Sequence, residues 1–218
     1  MNGFFEALRV QRWDDHRFYH HSRINQALHL VSAISFVCSY ILVFSNPVAA
    51  VLLAWIVGMS ARQAGHFFFE PKTFDHYNQA THEHKEDIKV GYNLRRKIVL
   101  LAIWALAPLL LLVDPTLFGI FHAHTSPGEL VDQIGQIWLV VGFGGLVFRT
   151  VHLFFIKDVQ TGLVWATKII TDPFHDIKLY HRAPLELWRG QRMDHVLDDV
   201  LGDEIVEPVA VEASKSGV

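Results

Sequence analysis

The sequence predicts an all-α polytopic membrane protein. It has four transmembrane helices, cytoplasmic termini and interfacial helices in its carboxy-terminal part. Three observations predict this. Half of the 218 residues are apolar (51%) and only 19% are charged, with a mean hydropathy of +0.24, whereas soluble domains carry about 25% charged residues. Four long apolar runs stand out, at residues 28–44, 47–59 (extending toward Ala64), 98–113 and 137–156. The 19 Lys and Arg avoid alternate connections: the Ser45–Asn46 turn and residues 114–136 hold none, while every other segment between runs is basic. A membrane protein distributes cations this way, with its basic loops on the cytoplasmic side. A soluble bundle has no reason to.

Each element follows from local chemistry. Residues 1–27 are polar and charged and do not read as a cleavable signal peptide. Asn46-Pro47 predicts an N-cap with proline at the first helical position, giving a tight hairpin between the first two runs. Ser126-Pro127-Gly128-Glu129 predicts a capping box that opens an amphipathic lead into the fourth run. A span needs about 20 apolar residues, so the second and third runs are short unless flanking residues join them. Residues 159–171 predict an interfacial helix, and Asp172-Pro173 the start of another. We divide the chain into one membrane domain, residues 1–200, and an acidic, then small and polar, disordered tail, residues 201–218. There is no internal repeat. The one cysteine, Cys38, excludes a disulfide within the chain, and a net charge of −3 gives no reason to expect nucleic acid.

Fourteen histidines are many for this length, and twelve fall in segments that the charge pattern places on the cytoplasmic side; only His122 and His124 fall outside them. Imidazole near lipid is costly unless hydrogen-bonded or metal-bound. His21, Asn25 and His29 recur every fourth residue and share a helical face, as do Arg62, His66 and Glu70. Imidazole with carboxylate suits Fe(II), Zn(II) or Mn(II). On an unbroken helix His21 and His29 stand about 12 Å apart, too far to share an ion. Either the helix breaks between them, two metals are present, or one histidine plays another role. His82 and His84, in what reads as a polar loop, offer two more ligands beside Glu83 and Glu86. His152 with Arg149 reads either as a ligand beside an anion-binding guanidinium or as a snorkelling arginine. His16 and His195 read as surface residues. Tyr180-His181-Arg182 reads either as surface or as a closure over the site.

At these residues the chain resembles a family. Residues 18–29 (FYHHSRINQALH) and 65–70 (GHFFFE) are similar to the two motifs of the iron-dependent 2-hydroxy fatty acid dioxygenases, small multi-span proteins of the endoplasmic reticulum with bacterial relatives. Tyr19, His20, His21, Asn25 and His29 match the first motif, and Gly65, His66 and Glu70 the second. The match spans roughly residues 17–72. Arg62 stands where the family has Gln, with Gln63 beside it, and Pro71 lies closer to the glutamate than the family's proline does. The resemblance implies Fe(2+), O2 and a 2-hydroxy fatty acid shortened by one carbon, in a bacterial inner membrane or the endoplasmic reticulum. With it, the expected metal ligands are His21, His29, His66 and His84, then His82 and His152. Asn25 and Glu70 are expected as catalytic and orienting groups, and Arg62 and Arg149 as substrate-binding. Two alternatives remain open: a membrane di-iron hydroxylase or desaturase, and a non-catalytic histidine-rich membrane protein. A homo-oligomer is compatible with any of them.

Overall fold

The computed structural model describes residues 3–70, 74–75, 78, 80–88, 90 and 94–194. The expected tail, Pro71, His76 and His195 lie outside the described residues. Among those described there are helices and no strand, with two isolated bridges, Ser22 to Met193 and Asp75 to Ala80. Four helices are long and apolar enough to cross a membrane: Arg23–Leu42, Pro47–Phe69, Arg96–Val113 and Pro127–Ile156. Only 6% of the third is buried inside the chain. Large apolar side chains such as Leu112, Val140 and Phe155 point outward, as lipid-facing residues do.

The first candidate span begins at Arg23, earlier than expected, because the chain breaks before it. The amino-terminal helix Phe4–Tyr19 ends at His20, and Ser22 is extended. Arg23 NH bonds Arg192 O, and Asp194 NH bonds His21 O, each at 2.9 Å. The Arg23 guanidinium pairs with Asp194 and Glu186, both at 2.8 Å. Arg23, Asn25, Gln26, His29 and Ser32 are all buried. The polar start of this helix therefore faces protein, and its cost is met by hydrogen bonds and ion pairs.

The second span reaches 23 residues, Pro47–Phe69. Asn46 caps it as expected, its side-chain oxygen accepting from Ala49 NH at 3.0 Å. Two stretches are π-helical, Leu53–Met59 and Gly65–Phe69; such widened turns often mark functional sites. In the third, Pro108 lies in a 3₁₀ turn, Ala107–Leu109, as its missing NH requires. The amphipathic lead and the fourth run are one helix of 30 residues. Ser126 Oγ accepts from Glu129 NH at 3.3 Å, while the Glu129 carboxylate accepts from Thr125 NH at 2.6 Å, so the capping box closes one residue early. The second and fourth spans run side by side in the same direction: Val48 abuts Gly135 and Trp55 abuts Gly142, both pairs at one offset in sequence. A Cβ on Gly135 would lie 2.7 Å from Val48 Cγ1, so glycine is what permits this approach.

Two expectations are corrected. His82 and His84 lie not in a loop but in a short helix, His82–Ile88, opened by Thr81 Oγ1 accepting from His84 NH at 3.1 Å. Asp172-Pro173 does not start a helix. One helix runs Val159–Tyr180, capped by Asp158, which accepts from Thr161 NH at 2.7 Å. Asp172 is taken up by cations instead of by a cap, and Pro173 sits inside the helix. This helix packs on the amino-terminal helix and on the first and fourth spans.

Candidate metal centre and apolar cavity

The break at residues 20–22 is what builds the site. An intact helix would hold His20 and His29 well over 10 Å apart; instead their ring centroids are 4.1 Å apart. His66, from the second π-helical stretch, completes the group, 5.5 Å from His20 and 4.9 Å from His29. One nitrogen from each ring lies within 4.8 Å of the other two. Gly65 allows this approach. A Cβ there would fall 2.1 Å from Asn25 Oδ1 and 3.4 Å from the His29 ring. Asn25 braces the break, its Nδ2 donating to Tyr19 O at 2.7 Å.

Two of the three rings are held from behind. Glu70 Oε2 accepts from His66 Nδ1 at 2.8 Å. Tyr180 Oη lies 2.9 Å from His20 Nδ1 and 2.8 Å from His16 Nδ1. A phenol has one proton, so it donates to one ring and accepts from the other. If His20 offers Nε2 as a ligand, its Nδ1–H donates to Tyr180, and Tyr180 donates to His16. Among the described residues, His20 Nε2 and both His29 nitrogens are buried with no hydrogen-bond partner. Buried imidazole nitrogens left unpaired are costly, and a divalent cation would satisfy His20 Nε2 and one nitrogen of His29. Three ligands of one ion, each about 2.1 Å from it, lie at most about 3.6 Å from one another, so nitrogens up to 4.8 Å apart must draw together by about 1 Å. The donor set fits a divalent transition metal. Burial, then the neighbouring His29, pushes His20 well below the usual histidine range. Burial likewise pushes His16 down to about 4. Both are thereby held neutral, as a ligand and its supporting ring must be.

A buried charge network adjoins the rings. Lys168 pairs with Asp15 and with Asp172, the latter at 2.6 Å. Arg12 donates to Asp172 at 3.1 Å and to Thr171 at 2.6 Å. Arg62 donates to Asp176 at 3.3 Å, and Asp176 lies 3.8 Å from His29 Nδ1. Burial works to raise Asp176, but His29, Arg62 and Lys168 hold it below the usual carboxylate range.

From this polar end a cavity of about 530 Å³ runs between the helices. His20, Arg62, Gln63, His66 and Lys168 line one end. Phe36, Tyr40, Leu100, Phe143 and Leu146 wall its middle, and Val43, Ala50, Val51, Trp55 and Trp138 the other end.

The structure thus brings together His29 and His66, with Glu70 and Asn25 beside them. It places His20, not His21, as their companion. With the chain turning at 20–22, His21 points away, its Nε2 against Arg17 O and Asn78. His82, His84 and His152 are not in the group. His152 accepts from Arg149 at 2.9 Å, and Arg149 also donates to Val90 O at 2.6 Å. Neither is in the cavity lining, although Val90, whose carbonyl Arg149 binds, is. His16, expected at the surface, is buried. Tyr180 is buried against the site while His181 is exposed, which divides that tripeptide between its two readings. Sequence reasoning left Tyr180 open and missed Lys168, Asp172 and Asp176 as neighbours of the site. Their signal was present: 168, 172, 176 and 180 fall at every fourth residue, on one helical face.

Comparison of the chain with protein-family models, with curated proteins and with solved structures finds no match in any of the three.

Proposed function

We propose that the chain is a membrane-embedded, non-haem Fe(II) dioxygenase that shortens a 2-hydroxy fatty acid by one carbon. The observation that carries the proposal is the three-imidazole group, in which His20 Nε2 and the His29 ring make no hydrogen bond, at one end of a largely apolar cavity. The motif resemblance at residues 17–72 supplies the reaction class. His20, His29 and His66 would hold the iron, which would supply the redox chemistry with O2 when bound. The reaction balances with one O2: a 2-hydroxy acid gives the acid one carbon shorter, carbon dioxide and water.

The chain's own residues have defined parts. His20, His29 and His66 hold the ion. Glu70 and Tyr180 fix the orientation of His66 and His20. Asn25 and Gly65 fix the approach of the two helices. The acyl tail lies along the apolar wall, and the carboxyl head lies at the end lined by Arg62, Gln63 and Lys168. The alternation of basic and cation-free connections supports cytoplasmic termini, with the metal group at the cytoplasmic face.

The test is oxygen uptake by purified, iron-loaded protein. Uptake with a 2-hydroxy fatty acid and none with the unsubstituted acid is expected, with the shortened acid as product. Uptake that requires a reductase, together with two irons per chain, would replace this reading with the di-iron one. Absence of bound iron would leave the non-catalytic one.

A further inference from the structure

Two tryptophans, Trp55 and Trp138, stand with Val43, Ala50 and Val51 at the far end of the cavity, and a third, Trp104, stacks on both. Trp55, Trp104 and Trp138 come from the second, third and fourth candidate spans. They stack in series, with ring centroids 5.3 and 5.1 Å apart and interplanar angles of 20° and 29°. Trp55 Nε1–H donates to Trp138 O at 3.3 Å, and Trp138 Nε1–H donates to Trp104 O at 2.9 Å. Buried indoles usually need such a partner, and these two are fixed in orientation by it. Gly142 of the fourth span, also in the cavity lining, abuts the Trp55 ring, and a Cβ there would lie 3.2 Å from Cζ2. The ring therefore has little room to retreat. Trp55 lies eleven residues before His66 on the same helix, roughly 15 Å along its axis. Both Trp55 and Trp138 line the cavity.

We propose that Trp55, held in place by Trp138 and Trp104, sets the longest acyl tail the cavity admits. The proposal rests on reading the cavity as the site of a single-chain fatty acid, and on neither the metal nor the reaction. Each methylene that finds room in an apolar cavity tightens binding about fourfold. The first methylene to meet the indole gains nothing, because it must fold back or displace a stacked ring. Affinity therefore climbs with chain length and then breaks.

The experiment is displacement of a fluorescent fatty acid from the metal-free protein in nanodiscs by saturated fatty acids of increasing length. Wild type shows the climb and the break. Trp55→Ala moves the break to tails several carbons longer, with about fourfold tighter binding for each methylene gained. Trp55→Phe moves it less, in the same direction, and decides the matter if the alanine variant does not fold. Trp188→Phe, at an exposed indole, leaves the break where it is. A break at the wild-type length in Trp55→Phe overturns the proposal while leaving the acyl site standing. No displacement by any fatty acid overturns the acyl site and the proposal together. Length-dependent binding without oxygen uptake overturns the dioxygenase reading alone.

Discussion

Gly65 and Asn25 decide whether the two motif-bearing helices can meet. Gly65→Ala puts a methyl group where Asn25 Oδ1 already sits, 2.1 Å away. Overpacking of this kind costs about 1–3 kcal/mol, and here it pushes His66 away from His29. We expect a lowered melting temperature and lost iron in Gly65→Ala, with partial recovery in the double variant Gly65→Ala, Asn25→Ala, read by thermal melts and metal analysis. Recovery locates the fault at this one contact. Tyr180 acts at the same scale. Tyr180→Phe keeps the packing and removes the hydroxyl shared by His16 and His20, so iron affinity should fall about 10- to 100-fold with the fold intact. His16 makes a pH prediction. Burial lowers it from 6.5 to about 4, so it takes a proton more readily unfolded than folded. Its contribution to stability is complete above pH 6.5 and is lost as pH falls toward 4. Acid titration of the metal-free protein should show this loss, and His16→Gln should flatten the slope in that window.

The Val159–Tyr180 helix carries a row of groups, Lys168, Asp172, Asp176 and Tyr180, that fastens the amino-terminal helix and the second span to the site. Lys168 is buried between Asp15 and Asp172. Removing one partner of a buried pair leaves an uncompensated charge and costs about 3–5 kcal/mol. Lys168→Ala is expected to destabilise on that scale, and Lys168→Ala with Asp172→Asn markedly less, by denaturant or thermal unfolding in micelles. Much of this element's chemistry was legible as spacing but misread as boundary. Asp-Pro is a good helix start, and local propensity favours one at 172. What overrides it is a tertiary partner, Arg12, and an in-helix one, Lys168, which together claim the Asp172 carboxylate. The same holds at residues 20–22. A helical wheel places His21 with Asn25 and His29, and it assumes continuity. The strap formed by residues 192–194 breaks that continuity and substitutes His20. Periodicity identifies faces, but it does not see contacts made from 170 residues away. Capping signals, which are local, were legible: Asn46 serves as its sequence indicates.

At the scale of the whole molecule, the four apolar helices were legible from composition and run length, because lipid-facing surfaces leave long uninterrupted apolar stretches. Their ends were less so, since polar residues such as Arg23, Asn25 and Gln26 belong to a helix that buries them against protein. Of the site, the motif residues His29, His66, Glu70 and Asn25 were readable. The histidines at 82, 84 and 152 were not separable from ligands by sequence, because a histidine's role depends on which helix faces it. The central claim is that His20, His29 and His66 together hold one ion, and metal content tests it most directly. Purified wild type should carry one iron per chain. Alanine at His20, His29 or His66 should abolish that iron, while His21→Ala, His84→Ala and His152→Ala should retain it, all with unchanged helix content. Iron lost from His21→Ala and kept in His20→Ala would contradict the account.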